Sequence, residues 1–417
     1  MEPEGDVATP ALLDPEGLGF MCGIEVHQQL ATGKLHSRQP GVLHDITIET
    51  LPVDWPKFSR RLRSARGEGG TVDVAARFES RRNRSFVYCQ SPNSGLIELD
   101  EQPPLPHDSD ALDISLTVSG MINAHPVPLL QTMRKTVVDG SNTSGFQRTT
   151  LVATNGVLET EGGPVGIDVL CLEEDSARKL DSELTSDGEI VTWNLDRLGI
   201  PLIEIATAPD VKNPDHAKQT SIALGRTLRD TRRVRRGLGS IRQDLNVSIM
   251  CGDRVEIKGC QDLEWIPKII RCEMARQLHF YRLANQLRST HGLPALSNDR
   301  RVESPSVQEE VSGILQLKLV DVSSAFESCE SKRVKSGLES KSVMLALPLP
   351  GFNGLIGVKE LDADGAQMPR LGRELAGAAK LAGVAGVYHS DELPAYGIEQ
   401  DYVDATRKLL DGADAFV

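Results

Sequence analysis

The chain has 417 residues, and its 46 Lys and Arg against 59 Asp and Glu give a net charge of −13. This acidic balance excludes a protein that is coated with positive charge to bind nucleic acid without specificity. With 39% hydrophobic and 25% charged residues, the composition is typical of a globular protein, and at roughly 150 residues per domain the length predicts about three domains. The 4% of aromatic residues argues against broad surfaces for base stacking.

The N-terminal segment and the cysteines predict the cellular compartment. The segment is acidic and lacks the basic start of a secretory signal, and its longest apolar run, 17–24, is too short to cross a bilayer. The seven cysteines are scattered and never spaced as Cys-x-x-Cys, which favours buried thiols in a reducing compartment. We therefore expect a cytoplasmic protein without a membrane segment.

Five segments alternate apolar and polar side chains with the period of two that is typical of strands. They are 23–30, 168–175, 201–206, 242–248 and 254–258. Any half-solvated antiparallel sheet shows such alternation. Single carboxylates between isoleucines, however, are costly unless a cation satisfies them, so a bound cation is the second interpretation of these strands.

Four side chains on these predicted strands have the chemistry of a metal site: Glu25, His27, Glu174 and Glu204. If the strands pair side by side, the four converge on one Mg²⁺, which prefers oxygen ligands and keeps several waters. His27 is the weakest candidate ligand, because imidazole suits softer metals better. A solvated sheet face without a metal stays open as the alternative.

Phosphate chemistry needs cations as well as a metal. The sequence has no Gly-x-x-x-x-Gly-Lys loop and no Gly-x-Gly-x-x-Gly between a strand and a helix, which argues against a P-loop or Rossmann site. The glycine-bearing segment 139–148 is a better candidate, because small residues let the backbone approach an anion and Ser144 and Arg148 supply donors. A hydrogen-bonded turn that joins two strands explains the same composition.

The segment that follows Asn213 is predicted to be a helix with a basic end. Asn213 is a good N-cap and Pro214 fits the first turn. Six arginines and one aspartate then lie between residues 226 and 236: Arg226, Arg229, Asp230, Arg232, Arg233, Arg235 and Arg236. Two of these cations are explained by the helix dipole, and we assign the others to phosphate of RNA or of a nucleotide. A second helix, 263–287, has the spacing of core packing.

The domain organisation is predicted from changes in pattern. Residues 1–300 form one large α+β unit, 301–314 collect Pro, Ser and charge as a linker, and 315–417 form a smaller domain with a helix at 371–381. The chain stops on an apolar triplet, 415–417, directly after a helical segment. Because domain ends are usually polar, we expect the chain to be cut inside a strand of a longer parent.

Several of these segments also carry a family resemblance. In order along nearly the whole chain, residues 23–30, 133–149, 194–210, 236–249 and 255–259 resemble the GatB/GatE family. The sequence Ser-Asn-Thr-Ser-Gly-Phe-Gln-Arg at 141–148, with 389–397 later, is similar to the archaeal GatE branch rather than to the bacterial GatB branch. Several of the matching motifs exceed ten residues.

The resemblance implies an α+β fold, with a large, mostly antiparallel-sheet cradle domain and helices at 1–300. Residues 315–417 would then be an incomplete, smaller α+β insertion domain similar to that of bacterial-type aspartyl-tRNA synthetases, and the later helical and tail domains of the family are absent. The implied activity uses ATP and Mg²⁺ to phosphorylate the side-chain carboxylate of glutamate esterified to tRNA(Gln). Ammonia then displaces the phosphate to give Gln-tRNA(Gln).

The implied partners are tRNA(Gln) charged with glutamate and an asparaginase-like amidase, the D-type subunit, in a heterodimer or a dimer of heterodimers. Neither DNA nor a membrane is expected as a partner. An amidase partner agrees with the sequence, because no Gly-x-Ser-x-Gly motif and no Cys with a plausible His partner is found for amide hydrolysis. The cysteine cluster of bacterial relatives is replaced here by Leu-His-Ser-Arg at 35–38, so no structural zinc is predicted.

The motif match also implies roles for individual residues. The catalytic and metal residues are Glu25, His27, Glu174 and Glu204. The phosphate and acceptor-end residues are Arg242, Asp244, Asn246, Glu256 and Lys258. The composition of the segments described above adds Ser144 and Arg148 for ATP and phosphate, and Arg232, Arg233, Arg235 and Arg236 for the tRNA backbone. Two alternatives stay open: a truncated, catalytically weak fragment that binds tRNA and partner, and an aspartyl-tRNA synthetase fragment, against which the absence of class II synthetase motifs argues.

Overall fold

The computed structural model describes residues 2–61, 70–72, 76–77, 79, 83–185, 188–299, 318–391 and 397–417. The chain divides into two compact units. The sheet unit comprises Met21–Val247 and Val255–Pro267, and the C-terminal unit comprises Met1–Phe20, Ser248–Arg254 and Lys268–Val417. The predicted linker at 301–314 lies outside the described residues. Antiparallel sheets combined with helices confirm the predicted α+β class.

The sheet unit is built from twelve labelled strands and two labelled helices. In chain order the strands are β1 (Met21–Gln29), β2 (Lys57–Arg61), β3 (Arg84–Cys89), β4 (His125–Pro126), β5 (Thr132–Thr136), β6 (Phe146–Leu158), β7 (Val165–Glu174), β8 (Arg178–Thr185), β9 (Gly188–Asn194), β10 (Pro201–Thr207), β11 (Ile241–Ser248) and β12 (Val255–Ile257). The helices are α1 (Ser109–Met121) and α2 (Pro214–Asp230). All five segments predicted to be strands from their alternation are strands, namely β1, β7, β10, β11 and β12.

The larger sheet has the strand order β12-β11-β1-β10-β7-β6-β4, and β5 also pairs with β6. The pairs β1/β10, β10/β7 and β7/β6 are antiparallel, as are β5/β6 and β11/β12. A smaller sheet has the order β2-β3-β9-β8, in which β3 and β9 run parallel. The strand order places β1 and β10 in the middle of the larger sheet, with a neighbouring strand on both sides.

The central strand β1 of the larger sheet has one apolar and one polar face. In β1, Ile24 and Val26 are buried, whereas Glu25 and His27 on the other face are partly exposed. The helices α1 and α2 pack against β7, β6 and β1, and burying an apolar sheet face against such helices is the main source of its stability. As predicted, Asn213 caps α2: its side chain accepts a hydrogen bond of 2.9 Å from the backbone N–H of His216.

The C-terminal unit contains helices, short strands and its own apolar core. Its elements are α3 (Ile266–Thr290), which belongs to this unit from Lys268 onward, β13 (Val320–Asp321), α4 (Lys332–Glu339), β14 (Leu345–Ala346), α5 (Leu371–Leu381) and α6 (Gln400–Leu409). The predicted core stripe of α3 is confirmed by the complete burial of Ile270 and Leu278, and the helix predicted at 371–381 is α5. Phe326 stands at the centre of the core, with its ring 5.0 Å from Tyr388 and 5.5 Å from Tyr402. Within the described part of the chain, no helix combines the length and the apolarity that a membrane span requires.

Candidate active site

The register of the larger sheet brings three of the predicted site residues together. His27 on β1 lies directly opposite Glu204 on β10, and Glu25 lies two residues earlier on the same face of β1. One ligand atom from each of Glu25, His27 and Glu204 falls within 4.8 Å of the others. The alternation within each strand and the pairing between the strands therefore produce a group of two carboxylates and one imidazole that could hold a metal ion.

A third carboxylate, that of Glu173, joins this group as its fourth member. Its Oε1 lies 3.0 Å from His27 Nδ1, while Glu25 Oε1 lies 2.9 Å from His27 Nε2. The imidazole is thus held between two carboxylates. We call Glu25, His27, Glu173 and Glu204 the acidic cluster.

The four side chains predicted to converge do not all meet, because Glu174 lies on the opposite face of β7. Successive residues of a strand point to opposite faces of the sheet. Glu173 and Glu174 therefore cannot both lie on the face that carries His27. Glu174 is buried and pairs with Arg148, whose guanidinium nitrogen lies 3.0 Å from its Oε1. Burial raises the pKa of Glu174 to about 7 although Arg148 opposes the shift.

The pKa values of the acidic cluster follow from this crowding of charge. The hydrogen bond from His27 lowers the pKa of Glu25 to about 2. Burial alone would lower the pKa of His27, but the hydrogen bonds to Glu173 and Glu25 raise it to about 9. Burial and the neighbouring charge of Glu173 raise the pKa of Glu204 to about 8. Like charges this close cannot all ionise freely without a cation.

Lys135 supplies a cation that the sequence analysis did not identify. Its Nζ lies 3.8 Å from Glu173 Oε2 and 3.8 Å from Glu204 Oε2, and its side chain is half exposed. Lys135 belongs to β5, which reaches the cluster only through the pairing of β5 with β6 and of β6 with β7. Its position in the segment 133–149, which carried the family resemblance, is the one signal in the sequence that could have drawn attention to it.

The residues predicted on β11 lie on the same face as the acidic cluster. Arg242 donates to Asp175 Oδ1 at 2.8 Å, and Asp175 Oδ2 accepts from Gln29 at 2.8 Å. Gln29 shares its face of β1 with Glu25 and His27. By the same alternation, Arg242 shares its face of β11 with two further predicted residues, Asp244 and Asn246.

The remaining residues of this set lie on and after β12. Asn246 is the register partner of Glu256. Lys258 Nζ lies 2.5 Å from Glu256 Oε1 and 3.2 Å from Asp244 Oδ2. Arg242 and Lys258 therefore already have carboxylate partners, and an anion in this region would share them.

The segment 139–148 forms a hydrogen-bonded turn between β5 and β6, which is the alternative that its composition left open. Asp139 accepts from the backbone N–H of Ser141 at 2.9 Å, and the Ser144 hydroxyl donates to the carbonyl of Phe146 at 2.9 Å. Arg148, at the end of the segment, is turned to Glu174 on the other face of the sheet. The structure thus separates Ser144 and Arg148 from the acidic cluster, and their role in binding an anion stays a prediction.

The predicted arginines for the tRNA backbone lie after the helix rather than in it, because α2 ends at Asp230. We call residues 231–236 the arginine segment. Arg233 pairs with Asp113 at 2.6 Å and with Asp110 at 3.5 Å. Arg235 donates to the carbonyls of Leu30 and Gly41. Arg232 and Arg236 are exposed.

Comparison with known proteins identifies a family model and several relatives that match this sequence. A model of the GatB/GatE catalytic domain matches residues 20–334. The chain is 43% identical over 405 residues to the E-type subunit of the glutamyl-tRNA(Gln) amidotransferase of Pyrococcus furiosus, with 96% of this chain and 59% of that protein covered.

Two further relatives with the same name give similar values. Identity is 42% over 405 residues to the protein of Methanocaldococcus jannaschii, with 96% of this chain and 58% of that protein covered. It is 42% over 407 residues to the protein of Methanosarcina acetivorans, with 97% and 59% covered. The chain thus spans less than two thirds of the length of these relatives.

Proposed function

The chain belongs to the family of the GatB/GatE catalytic domain, and on that premise we propose that it is a subunit of an ATP-dependent amidotransferase that converts Glu-tRNA(Gln) to Gln-tRNA(Gln). In this reaction the γ-phosphoryl group of ATP moves to the side-chain carboxylate of the esterified glutamate, and ADP leaves. Ammonia attacks the carbon of the acyl phosphate, the amide forms and phosphate leaves. The observation that carries the proposal is the acidic cluster, together with relatives whose names specify glutamyl-tRNA(Gln) and the transfer of an amido group.

The acidic cluster fits a divalent ion such as Mg²⁺ in its donor set. Carboxylate oxygens of Glu25 and Glu204 are the ligands that Mg²⁺ prefers. His27 is held at Nδ1 by Glu173, and a carboxylate behind the ring is the usual support of an imidazole ligand. Glu25, Glu204 and His27 would hold the ion, with His27 losing the proton that its raised pKa retains. The ion would neutralise the charge of the transferring phosphoryl group.

The chain's own cations would bind the oxygens of the phosphoryl group. Lys135 lies within 3.8 Å of two carboxylates of the cluster, and its side chain is half exposed. Arg242 is the second candidate, because its guanidinium reaches the same face through Asp175. Fixed cations aimed at developing negative charge are a main source of catalysis in phosphoryl transfer.

The ammonia would come from a partner. The sequence contains no signature of an amide-hydrolysing nucleophile, so we expect a separate amidase to release ammonia from glutamine. In the absence of that amidase, ammonium chloride at high concentration would support the reaction, because the acyl phosphate needs only ammonia as its nucleophile.

The test uses the full chain with Glu-tRNA(Gln), ATP, Mg²⁺ and ammonium chloride, and it measures ADP and Gln-tRNA(Gln). Glu25→Gln and Glu204→Gln keep the shape of the side chain and remove its charge. We expect each to lower tRNA-dependent ADP formation by about 100-fold or more. Glu161→Gln, at an exposed carboxylate after β6, is the matched control and is expected to match the unmodified protein. Wild-type ADP formation by Glu25→Gln and Glu204→Gln, with tRNA binding intact, would contradict the proposal.

A further inference from the structure

A cavity of about 300 Å³ lies between the C-terminal half of α2, the loop that follows the arginine segment, and the start of β11. Four arginines line it: Arg229, Arg235, Arg236 and Arg242. Among the described residues that line this cavity, none carries a carboxylate. We call it the arginine cavity. It lies wholly within the sheet unit, and its charge contrasts with the net −13 of the chain.

The four arginines differ in how far their charge is already compensated. Arg242 is paired with Asp175, and Arg235 is held by two backbone carbonyls. Arg229 and Arg236 are exposed, and in the described part of the chain neither side chain forms a hydrogen bond or an ion pair. Two guanidinium groups that face one cavity without a carboxylate repel each other, so a bound anion would relieve the repulsion.

A buried hydroxyl without a partner also lines the cavity. Ser221 is only 4% exposed, and its Oγ has no hydrogen-bond partner among the described residues. Hydroxyls elsewhere on α2 bond back to the carbonyl four residues earlier: Thr220 does so to His216 at 2.8 Å and Thr227 to Ala223 at 3.1 Å. Ser221 does not, and a buried polar group left unpaired is costly. Its hydroxyl is therefore free to donate to a ligand in the cavity.

We propose that the arginine cavity binds one phosphate group of an RNA backbone. Arg229 and Arg236 supply charge, Ser221 supplies a hydroxyl donor, and Gly225 and Gly237 in the lining leave room for the ligand. The volume is at the lower end of the range of roughly 300 to 1,000 Å³ for sites that enclose whole ligands. It suits a phosphate with part of its sugar rather than an enclosed nucleoside triphosphate.

The proposal deepens the proposed function and rests on it for the identity of the RNA, tRNA(Gln). It also redistributes the roles expected from the sequence. Arg233 and Arg235 are committed to partners within the protein, whereas Arg229, which is not among the residues predicted from the sequence for the tRNA backbone, takes a central place.

The test measures binding of a fluorescent, unacylated tRNA(Gln) transcript to the full chain by anisotropy over a series of KCl concentrations. We expect Arg229→Gln with Arg236→Gln to weaken binding about tenfold and to reduce the salt slope by about one, because one phosphate contact is lost. Ser221→Ala should weaken binding by about threefold without changing the salt slope, since it removes a hydrogen bond and no charge.

The matched control removes two exposed cations from the smaller sheet, Arg61→Gln with Lys179→Gln. It should change the dissociation constant by less than about twofold, because exposed charges far from the contact are screened. Equal effects of the control and the cavity variants would mean diffuse attraction only and would overturn the proposal, as would an unchanged salt slope. Melting temperatures establish that each variant is folded.

The source of the phosphate is decided by calorimetric titration of the same variants with ATP and with inorganic phosphate. If the double arginine variant loses ATP binding while its affinity for tRNA is unchanged, the cavity is a nucleotide site and the RNA proposal is wrong. Failure of the proposed function is observed separately. Absence of tRNA-dependent ADP formation by the unmodified chain would contradict the proposed amidotransferase function. Effects on tRNA binding that are specific to the cavity variants would still support the phosphate site.

Discussion

The acidic cluster and the arginine segment are both concentrations of like charge, but the fold treats them differently. The four members of the acidic cluster lie on paired strands, and Glu25, His27 and Glu173 are joined by hydrogen bonds of 2.9 and 3.0 Å. The arginine segment lies outside the named helices and strands, and two of its side chains, Arg233 and Arg235, turn to separate partners. The register of paired strands thus brings charged side chains together at one site. The charged side chains of a loop contact several separate parts of the protein instead.

The largest expected effect separates buried from exposed arginines. Arg148→Ala would leave Glu174 buried without its cation, and we expect a loss of about 3 kcal/mol in the free energy of unfolding. Urea denaturation followed by circular dichroism measures it. A loss below about 1 kcal/mol is the size expected for an exposed ion pair. It would mean that Glu174 does not need Arg148, and it would contradict the expected difference between buried and exposed arginines.

The next effect tests the assignment of Glu173 to the cluster. Glu173→Gln weakens the support of the His27 ring and should lower tRNA-dependent ADP formation by about 10- to 100-fold. Glu174→Gln lies on the other face and should change the rate per folded molecule little, while it lowers stability. Steady-state rates and denaturation curves of both variants decide the matter, and a larger loss of rate in Glu174→Gln would restore the assignment made from the sequence.

The smallest effect is expected in the arginine segment. Arg233 pairs with Asp113 at the surface, and both side chains are well exposed. Exposed ion pairs contribute little, so Arg233→Ala should cost less than about 1 kcal/mol in the free energy of unfolding. A double-mutant cycle with Asp113→Ala isolates the pair. A coupling as large as that of a buried pair would show that this segment is fixed as firmly as the strands.

The strands of the site could be predicted from the sequence, because apolar and polar side chains alternate with a period of two in β1 and around Glu204 in β10. It could not set the phase of β7. Apolar side chains occur there at both odd and even positions, such as Val169 and Leu170, and the pairings on both sides of β7 contain register shifts. Only the paired structure decides that Glu173, and not Glu174, faces His27.

Lys135 and the partners of Arg233 could not be predicted from the sequence for a related reason. Lys135 reaches the cluster through two strand pairings, which no local pattern reveals. Asp113 lies on α1, a helix that was not predicted. The hydroxyls of Ser115 and Thr117 in α1 donate hydrogen bonds to the carbonyls of Ala111 and Asp113. Because Ser and Thr are more typical of caps and turns than of helix interiors, the local sequence does not indicate a helix here.

The measurement that tests the central claim most directly is binding of Mn²⁺, as a probe for Mg²⁺, to the full chain by isothermal titration calorimetry. The acidic cluster predicts saturable binding by the unmodified protein and by Glu161→Gln. It predicts affinity at least about tenfold weaker for Glu204→Gln, because one of the gathered ligands is lost. Equal affinity in Glu204→Gln and Glu161→Gln would mean that the strands gather these carboxylates for a purpose other than holding a metal, and the account of the site would be contradicted.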